Sequence, residues 1–153
     1  MSEQTPRQDE PSVTTAQPPL TPEEERTWAM LAHLSILVNL VTAILGVVAV
    51  LVIYLIYKDR SRYVAYQSLQ ALVWQLIGWV LASTVVGIVW AITGVLSAVV
   101  VGICLIPFAI VLSLVPIAAL VYGVIGAVEC NQGRDFKYWL VGDWVRGSMQ
   151  PTQ

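Results

Sequence analysis

Residues 27–57 and 63–128 contain no Asp, Glu, Lys or Arg. An ordinary soluble domain is ~25% charged, and no soluble fold of 153 residues can hide uncharged runs of this length. The charged residues, 12% of the chain, are confined to 1–26, 58–62 and 129–146. That segregation predicts a polytopic membrane protein built of helices. The length suits a single domain. A formal net charge of -2 argues against a basic nucleic-acid binder. Two cysteines, Cys104 in the apolar stretch and Cys130 just after it, are too few for a disulfide scaffold. The acidic, polar N-terminus lacks the pattern of a cleavable signal peptide, so the first apolar stretch is expected to direct insertion.

Residues 1–20 are rich in Gln, Pro, Ser and Thr and read as a disordered polar tail. A transmembrane helical domain is expected over 21–133, with an interfacial amphipathic segment and C-terminal tail over 134–153. Thr21-Pro22-Glu23-Glu24 carries a helix start: a capping hydroxyl, Pro at the first helical position and Glu three residues after the cap. As one helix, 27–57 would be ~46 Å long, while the hydrocarbon core needs roughly 20 residues. It is therefore either one long tilted helix or a helical pair with short arms. Ala32, Ser35, Asn39, Thr42, Ala43 and Gly46 recur at helical spacing and favour a continuous face.

Lys58, Arg60 and Arg62 form a basic loop bordered by Tyr54, Tyr57, Tyr63 and Tyr66, as expected on the cytoplasmic side. Two spans in 63–128 would put these cations on the same side as Arg134, Lys137 and Arg146, whereas three would divide them evenly. Two are expected, with the turn within 97–107 near Ser97, Gly102 and Pro107, and Pro116 as a kink. The N-terminus then shares the cytoplasmic face with the 58–62 loop and the C-terminus. Past Gly133, FKYWLVGDWVRG mixes aromatics with charge and reads as a headgroup-level segment.

Three sets of small residues repeat at a spacing that lets membrane helices approach closely: Ser83, Gly87 and Ala91; Gly94, Ala98 and Gly102; Ala119, Gly123 and Ala127. Ala- and Gly-rich composition alone yields some such sets. Gln67 and Ser68 read mainly as a polar helix start at the interface. Gln70 and the deeper Gln75 are candidates for interhelical hydrogen bonds, as are Asn39 and His33. His33, the only histidine, lies within two turns of Arg26 and is expected near the surface, bonded to a neighbouring helix. The sequence shows no metal-ligand spacing, no nucleophile with a base and no phosphate loop, so neither cofactor nor catalysis is expected.

The runs ERTWAMLAHLS, VIYLIYKDRSRYVAYQSLQALVWQ and GAVECNQGRDFKYWLVGDWVR resemble a widespread group of small prokaryotic membrane proteins of unknown function. That group is similar to the Tic-twenty subunit of the chloroplast inner-envelope import machinery. Trp28, Ala32, His33 and Leu34 carry the opening of the resemblance, Lys58, Asp59, Gln67 and Ala71 its middle, and Gly133, Phe136 and Tyr138 its close. It implies an all-α bundle of about four helices with both termini on one side, and it favours the helical pair for 27–57.

The function expected is that of an integral membrane protein without catalytic activity, an accessory or packing subunit of a larger membrane assembly. The alternative is a small oligomeric channel or protein-translocation component, whose pore would be lined by His33, Asn39, Gln70 and Gln75. A membrane-bound enzyme ranks last, since Asp59 or Glu129 would need catalytic partners the sequence does not show. The candidate partners are the lipid bilayer and either further copies of the chain or other membrane proteins.

Overall fold

The structure, a computed structural model, describes residues 18–149. The tail expected over 1–20 lies outside these residues except for Pro18–Leu20, as do the last four residues. Among the described residues the chain is all-helical. A first rod comprises α1 (Pro22–Leu34), a 3₁₀ turn (Ser35–Val38) and α2 (Asn39–Thr42). It is followed by α3 (Leu45–Tyr57) and by a second rod of α4 (Arg62–Trp74), a π-helical segment (Gln75–Leu81) and α5 (Ala82–Ser97). The long α6 (Val101–Asn131) and the short α7 (Gly142–Ser148) complete the fold.

The helix start at Thr21 is built as its sequence predicts. Thr21 Oγ1 accepts from the Glu24 N–H at 3.3 Å, and Glu24 Oε2 accepts from the Thr21 N–H at 2.7 Å. Residues 27–57 form the helical pair. The reversal falls at Ala43, whose φ of 63° is the left-handed conformation, with the Ile44 N–H bonded to the Thr42 carbonyl at 2.8 Å. That is a γ-turn, a strained conformation for a residue with a side chain. Trp79 Nε1 donates to the Ala43 carbonyl at 3.0 Å and ties the turn to the second rod. The arms pack closely because Gly46 has no side chain. A Cβ there would overlap the Ser35 carbonyl oxygen and stand 2.6 Å from Asn39 Oδ1.

Residues 63–128 fold as two long helices. The span Arg62–Ser97 has 36 residues and α6 has 31, about 54 Å and 46 Å against a hydrocarbon core of ~30 Å. Both are long and apolar enough to cross a membrane, and most of their surface faces away from the chain's own interior. Val95, Phe108 and Val111 are 75%, 74% and 66% exposed, as befits side chains in lipid. Α3, with 13 residues, is ~20 Å long and falls short of that thickness. The turn between the two long helices is Ala98–Val100, with Val100 at φ 66°. Pro107 does not belong to it. Both Pro107 and Pro116 lie inside α6, and the turn is made instead by 3₁₀-type bonds from Ala98, Val99 and Val100 back to Val95, Leu96 and Ser97.

The small-residue sets divide. Ala119, Gly123 and Ala127 are all buried: an added Cβ at Gly123 would lie 3.0 Å from Ile36. Gly102 is also buried, its Cα against the backbone of Thr93 and Ser97. By contrast Gly87, Ala91, Gly94 and Ala98 are exposed, and a Cβ at Gly87 or Gly94 would meet nothing within 4 Å. Ser83 is half-buried. Among the described residues Gly87 and Gly94 pack no helix closely, because α6 lies against another face of α5, where Thr93 is buried.

Substitution should separate the two classes. Gly102→Ala forces the tip apart and is expected to cost about 1–3 kcal/mol. Gly87→Ala replaces an exposed helical glycine and is expected to raise stability by up to ~1 kcal/mol. Unfolding of the purified protein in mixed micelles measures both, and equal effects would contradict the packing described.

Candidate functional site

The polar residues of the apolar half converge on two linked clusters. In the first, His33 of α1 faces Gln67 and Gln70 of α4 and the irregular segment 132–141 that follows α6. Successive constraints set the roles of its groups. The Phe136 carbonyl can only accept, so the Gln67 amide that bonds it at 3.2 Å does so through Nε2. Gln67 Oε1 therefore faces His33, and the His33 nitrogen 3.1 Å away, Nε2, must carry a proton. In the neutral ring Nδ1 is then the acceptor, and the Tyr138 hydroxyl donates to it at 3.0 Å. Burial pushes the Tyr138 pKa well above its usual range, which keeps this hydroxyl a donor. Gln70 completes the cluster: its Nε2 donates to the Phe136 carbonyl at 2.7 Å and its Oε1 accepts the Tyr138 N–H at 3.3 Å.

The second cluster joins the first hairpin to the second rod. Asn39 Oδ1 accepts the Gly46 N–H at 2.8 Å, and Asn39 Nδ2 donates to Gln75 Oε1 at 3.0 Å. Gln75 Nε2 donates to Ser35 Oγ at 2.8 Å, and that hydroxyl donates to the Ala32 carbonyl at 2.7 Å. His33, Asn39, Gln67, Gln70 and Gln75 are all essentially withdrawn from solvent. Ser68 Oγ and Thr93 Oγ1 are buried without a partner.

Two aromatic rings flank the imidazole, Phe136 edge-on and Tyr138 tilted, each with its centroid 5.4 Å away. Tyr138 in turn stacks on Trp74 with centroids 4.7 Å apart and meets Tyr122 edge-on at 5.1 Å. Trp74 Nε1 donates to the Ala119 carbonyl at 2.9 Å. Gly126 gives His33 and Phe136 their room, since a Cβ there would lie 2.9 Å from His33 Nδ1 and 2.8 Å from Phe136 Cε1.

The structure thus brings His33, Gln70, Asn39 and Gln75 into the interior of one chain, bonded to neighbours there. Three placements differ from the sequence reading. His33 is 1% exposed rather than near the surface, and Gln67 is at the centre of a cluster rather than at an interfacial helix start. The segment after Gly133 leaves Trp139 and Trp144 outside but inserts Tyr138, 1% exposed, into the bundle. Tyr138, Trp74 and Gln67 are not among the candidate site residues read from the sequence, although the spacing of 67, 70, 71 and 74 puts Trp74 on one helix face with both glutamines.

Charged groups gather at the end where α1 begins, α4 begins and α6 ends. Ser61 Oγ donates to Glu25, Tyr63 Oη donates to the Arg134 carbonyl, and Arg60 donates to the Pro18 carbonyl. Ion pairs join Arg134 to Glu129 at 2.8 Å, Lys137 to Asp143 at 2.9 Å and Arg146 to Asp135 at 2.6 Å. Among the described residues no group of three or more His, Cys, Asp or Glu is placed to hold a metal ion.

The model of the magnetosome magnetite crystal formation protein family (MamF/MmsF) matches residues 24–145, and the chain belongs to that family. The match places the chain in a small bacterial membrane protein family and lends no support to the likeness to the plastid import subunit. No curated protein and no solved structure matches.

Removing the Tyr138 hydroxyl tests the first cluster. Tyr138→Phe leaves His33 Nδ1 buried without a donor and is expected to cost about 1–3 kcal/mol. Tyr63→Phe, whose hydroxyl reaches an exposed carbonyl, should cost less than ~0.5 kcal/mol. Combining Tyr138→Phe with His33→Ala in a double-mutant cycle should show a coupling of at least ~0.5 kcal/mol. Additive effects in reversible unfolding would refute the bond.

Proposed function

We propose that this member of the magnetosome magnetite crystal formation protein family works without catalysis, as an accessory or packing subunit of the membrane assembly in which magnetite forms. The observation that carries this reading is the state of the interior polar groups. The imidazole and the amides of Asn39, Gln67, Gln70 and Gln75 are bonded to one another, to the Tyr138 hydroxyl, to backbone groups and to Asp135, itself paired with Arg146. Among the described residues none of these groups is left free to act as an acid or base on a substrate. Of the carboxylates nearest the membrane, Glu129 is paired with Arg134 and Asp59 is exposed on a turn. The channel alternative needs polar side chains around a common pore, whereas these face each other within one chain.

The exposed small residues Gly87, Ala91, Gly94 and Ala98 supply the outward side of the proposal. All four are exposed, and at Gly87 and Gly94 an added Cβ would meet nothing within 4 Å among the described residues, so they are suited to close packing against other membrane helices. The polar end carries Lys58, Arg60, Arg62, Arg134, Lys137 and Arg146, and on the positive-inside rule we place it on the cytoplasmic side of a prokaryotic membrane.

Deletion and complementation in a magnetosome-forming bacterium test the proposal. Loss of the chain is expected to shift the size or shape distribution of the crystals seen by electron microscopy. Wild type, Asp59→Asn and Glu129→Gln should each restore it. Gly87→Ile with Gly94→Ile should not, although the protein accumulates, and its native complex in mild detergent should shrink. Failure of either carboxylate variant to complement while still accumulating would overturn the non-catalytic reading; an unaltered complex and normal crystals in the glycine variant would overturn the packing role.

A further inference from the structure

At the charged end an open pocket of about 390 Å³ is lined by Arg62, Tyr63, Tyr66, Asp135, Arg146 and Met149. It holds two guanidinium groups and one carboxylate, and that carboxylate is already committed on both sides. Asp135 Oδ2 accepts from Arg146 at 2.6 Å, and its Oδ1 accepts from Gln67 Nε2 at 3.3 Å. Arg146 is held in place, its guanidinium 4.6 Å from the centre of the Tyr66 ring. Arg62 is exposed and takes part in none of the ion pairs among the described residues. The pocket therefore carries one positive charge more than its own residues neutralise.

Its height in the fold narrows the counter-ion. Arg62 is the first residue of the 36-residue helix Arg62–Ser97, so it stands where the charged end meets the apolar surface. Trp144, 66% exposed, lies on the same short helix as Arg146, and tryptophan collects at the bilayer interface. Lipid phosphates lie at this level, and a guanidinium offers forked donors suited to phosphate oxygens. We propose that the pocket binds the headgroup phosphate of an anionic phospholipid, bridged between Arg62 and Arg146. Tyr63 and Met149 flank the headgroup, and the acyl chains run along the apolar surface below.

The full chain, purified in mild detergent, is titrated with phosphatidylglycerol or phosphatidylcholine and read by native mass spectrometry. Phosphatidylglycerol should be retained in preference to phosphatidylcholine. Arg62→Gln, which breaks no side-chain bond among the described residues, should weaken that binding about fivefold, the worth of one basic residue near an anionic lipid. Asp135→Asn removes the competing charge while keeping an acceptor, and should strengthen binding by a similar factor, a gain that damage to the fold would not produce. Lys58→Gln, outside the pocket, should change nothing. Unchanged binding in Arg62→Gln, or an equal loss in Lys58→Gln, would overturn the proposal. Displacement of the lipid by an equal concentration of inorganic phosphate would also overturn it, by showing a free-anion site.

Discussion

A polar group taken out of water and set among apolar side chains must be bonded by the protein itself, and leaving it unmade costs about 1–3 kcal/mol. Four amides and one imidazole here are under that constraint, and the rest of the architecture is arranged to meet it. Helices satisfy their own backbones except at their ends, so the groups available to these side chains are non-helical backbone and the free N–H groups of a helix's first turn. The Phe136 carbonyl, the Tyr138 N–H and the Gly46 N–H are all taken by side chains of this set. Irregular backbone survives at such depth only where it is buried in protein and bonded. Gln67 and Gln70 meet that condition for segment 132–141, and Asn39 meets it for the start of α3. Gly46 and Gly126 follow from the same need, because a methyl group at either would displace the polar atom beside it.

The constraint divides the molecule along its length. Around His33 and Gln75 the first hairpin, α4, α6 and the C-terminal segment all contribute to the core, with Ile36, Trp74, Ala119 and Tyr138 packed together. Beyond Gly78, whose Cβ position lies 2.8 Å from Ala119, and Trp79, which bonds the Ala43 carbonyl, the second rod and α6 continue without the first hairpin. The π-helical segment Gln75–Leu81 sits at this transition. Such segments re-aim the residues they contain, and here the first of them sends its amide to Asn39 and Ser35. Past it most side chains are apolar and many face outward, while the buried Thr93 and Gly102 pack the two helices together near the tip.

The larger features were legible because each rests on a property that survives without tertiary context. Absence of charge over 63–128 is a solvation statement, and it located two long helices. The Thr21 cap is a local bonding pattern, and it formed as written. What could not be read depends on partners far along the chain. Ala43 and Val100 reverse the chain at positive φ without glycine or proline, so no turn chemistry announced them, whereas Pro107 announced a turn that α6 absorbs. Spacing at four residues identifies a face but not its neighbour, which is why Gly123 is buried and Gly87 is exposed. Gln67 looked interfacial because Arg62 lies one turn and a half before it; its burial is created by Phe136 and Tyr138, almost 70 positions later.

On the proposed non-catalytic reading, a chain whose interior amides and imidazole are bonded within its own core acts on anything else through its surfaces. Those surfaces are of two kinds. The charged end carries three ion pairs in which at least one partner is well exposed in every case, and such pairs contribute only ~0–1 kcal/mol each to stability. Their effect is instead to position: Lys137 and Asp143, together with Arg146 and Asp135, hold α7 and the segment before it over the start of α4. The lipid-facing helices carry the small residues for which the chain has no internal use. A membrane subunit that works by presenting surfaces needs a rigid interior, because an interface held to a defined geometry loses less on association than one that must be ordered first. The buried polar clusters supply that rigidity, which is why the residues most conspicuous as candidates for chemistry are better understood as the frame that fixes where the surfaces stand.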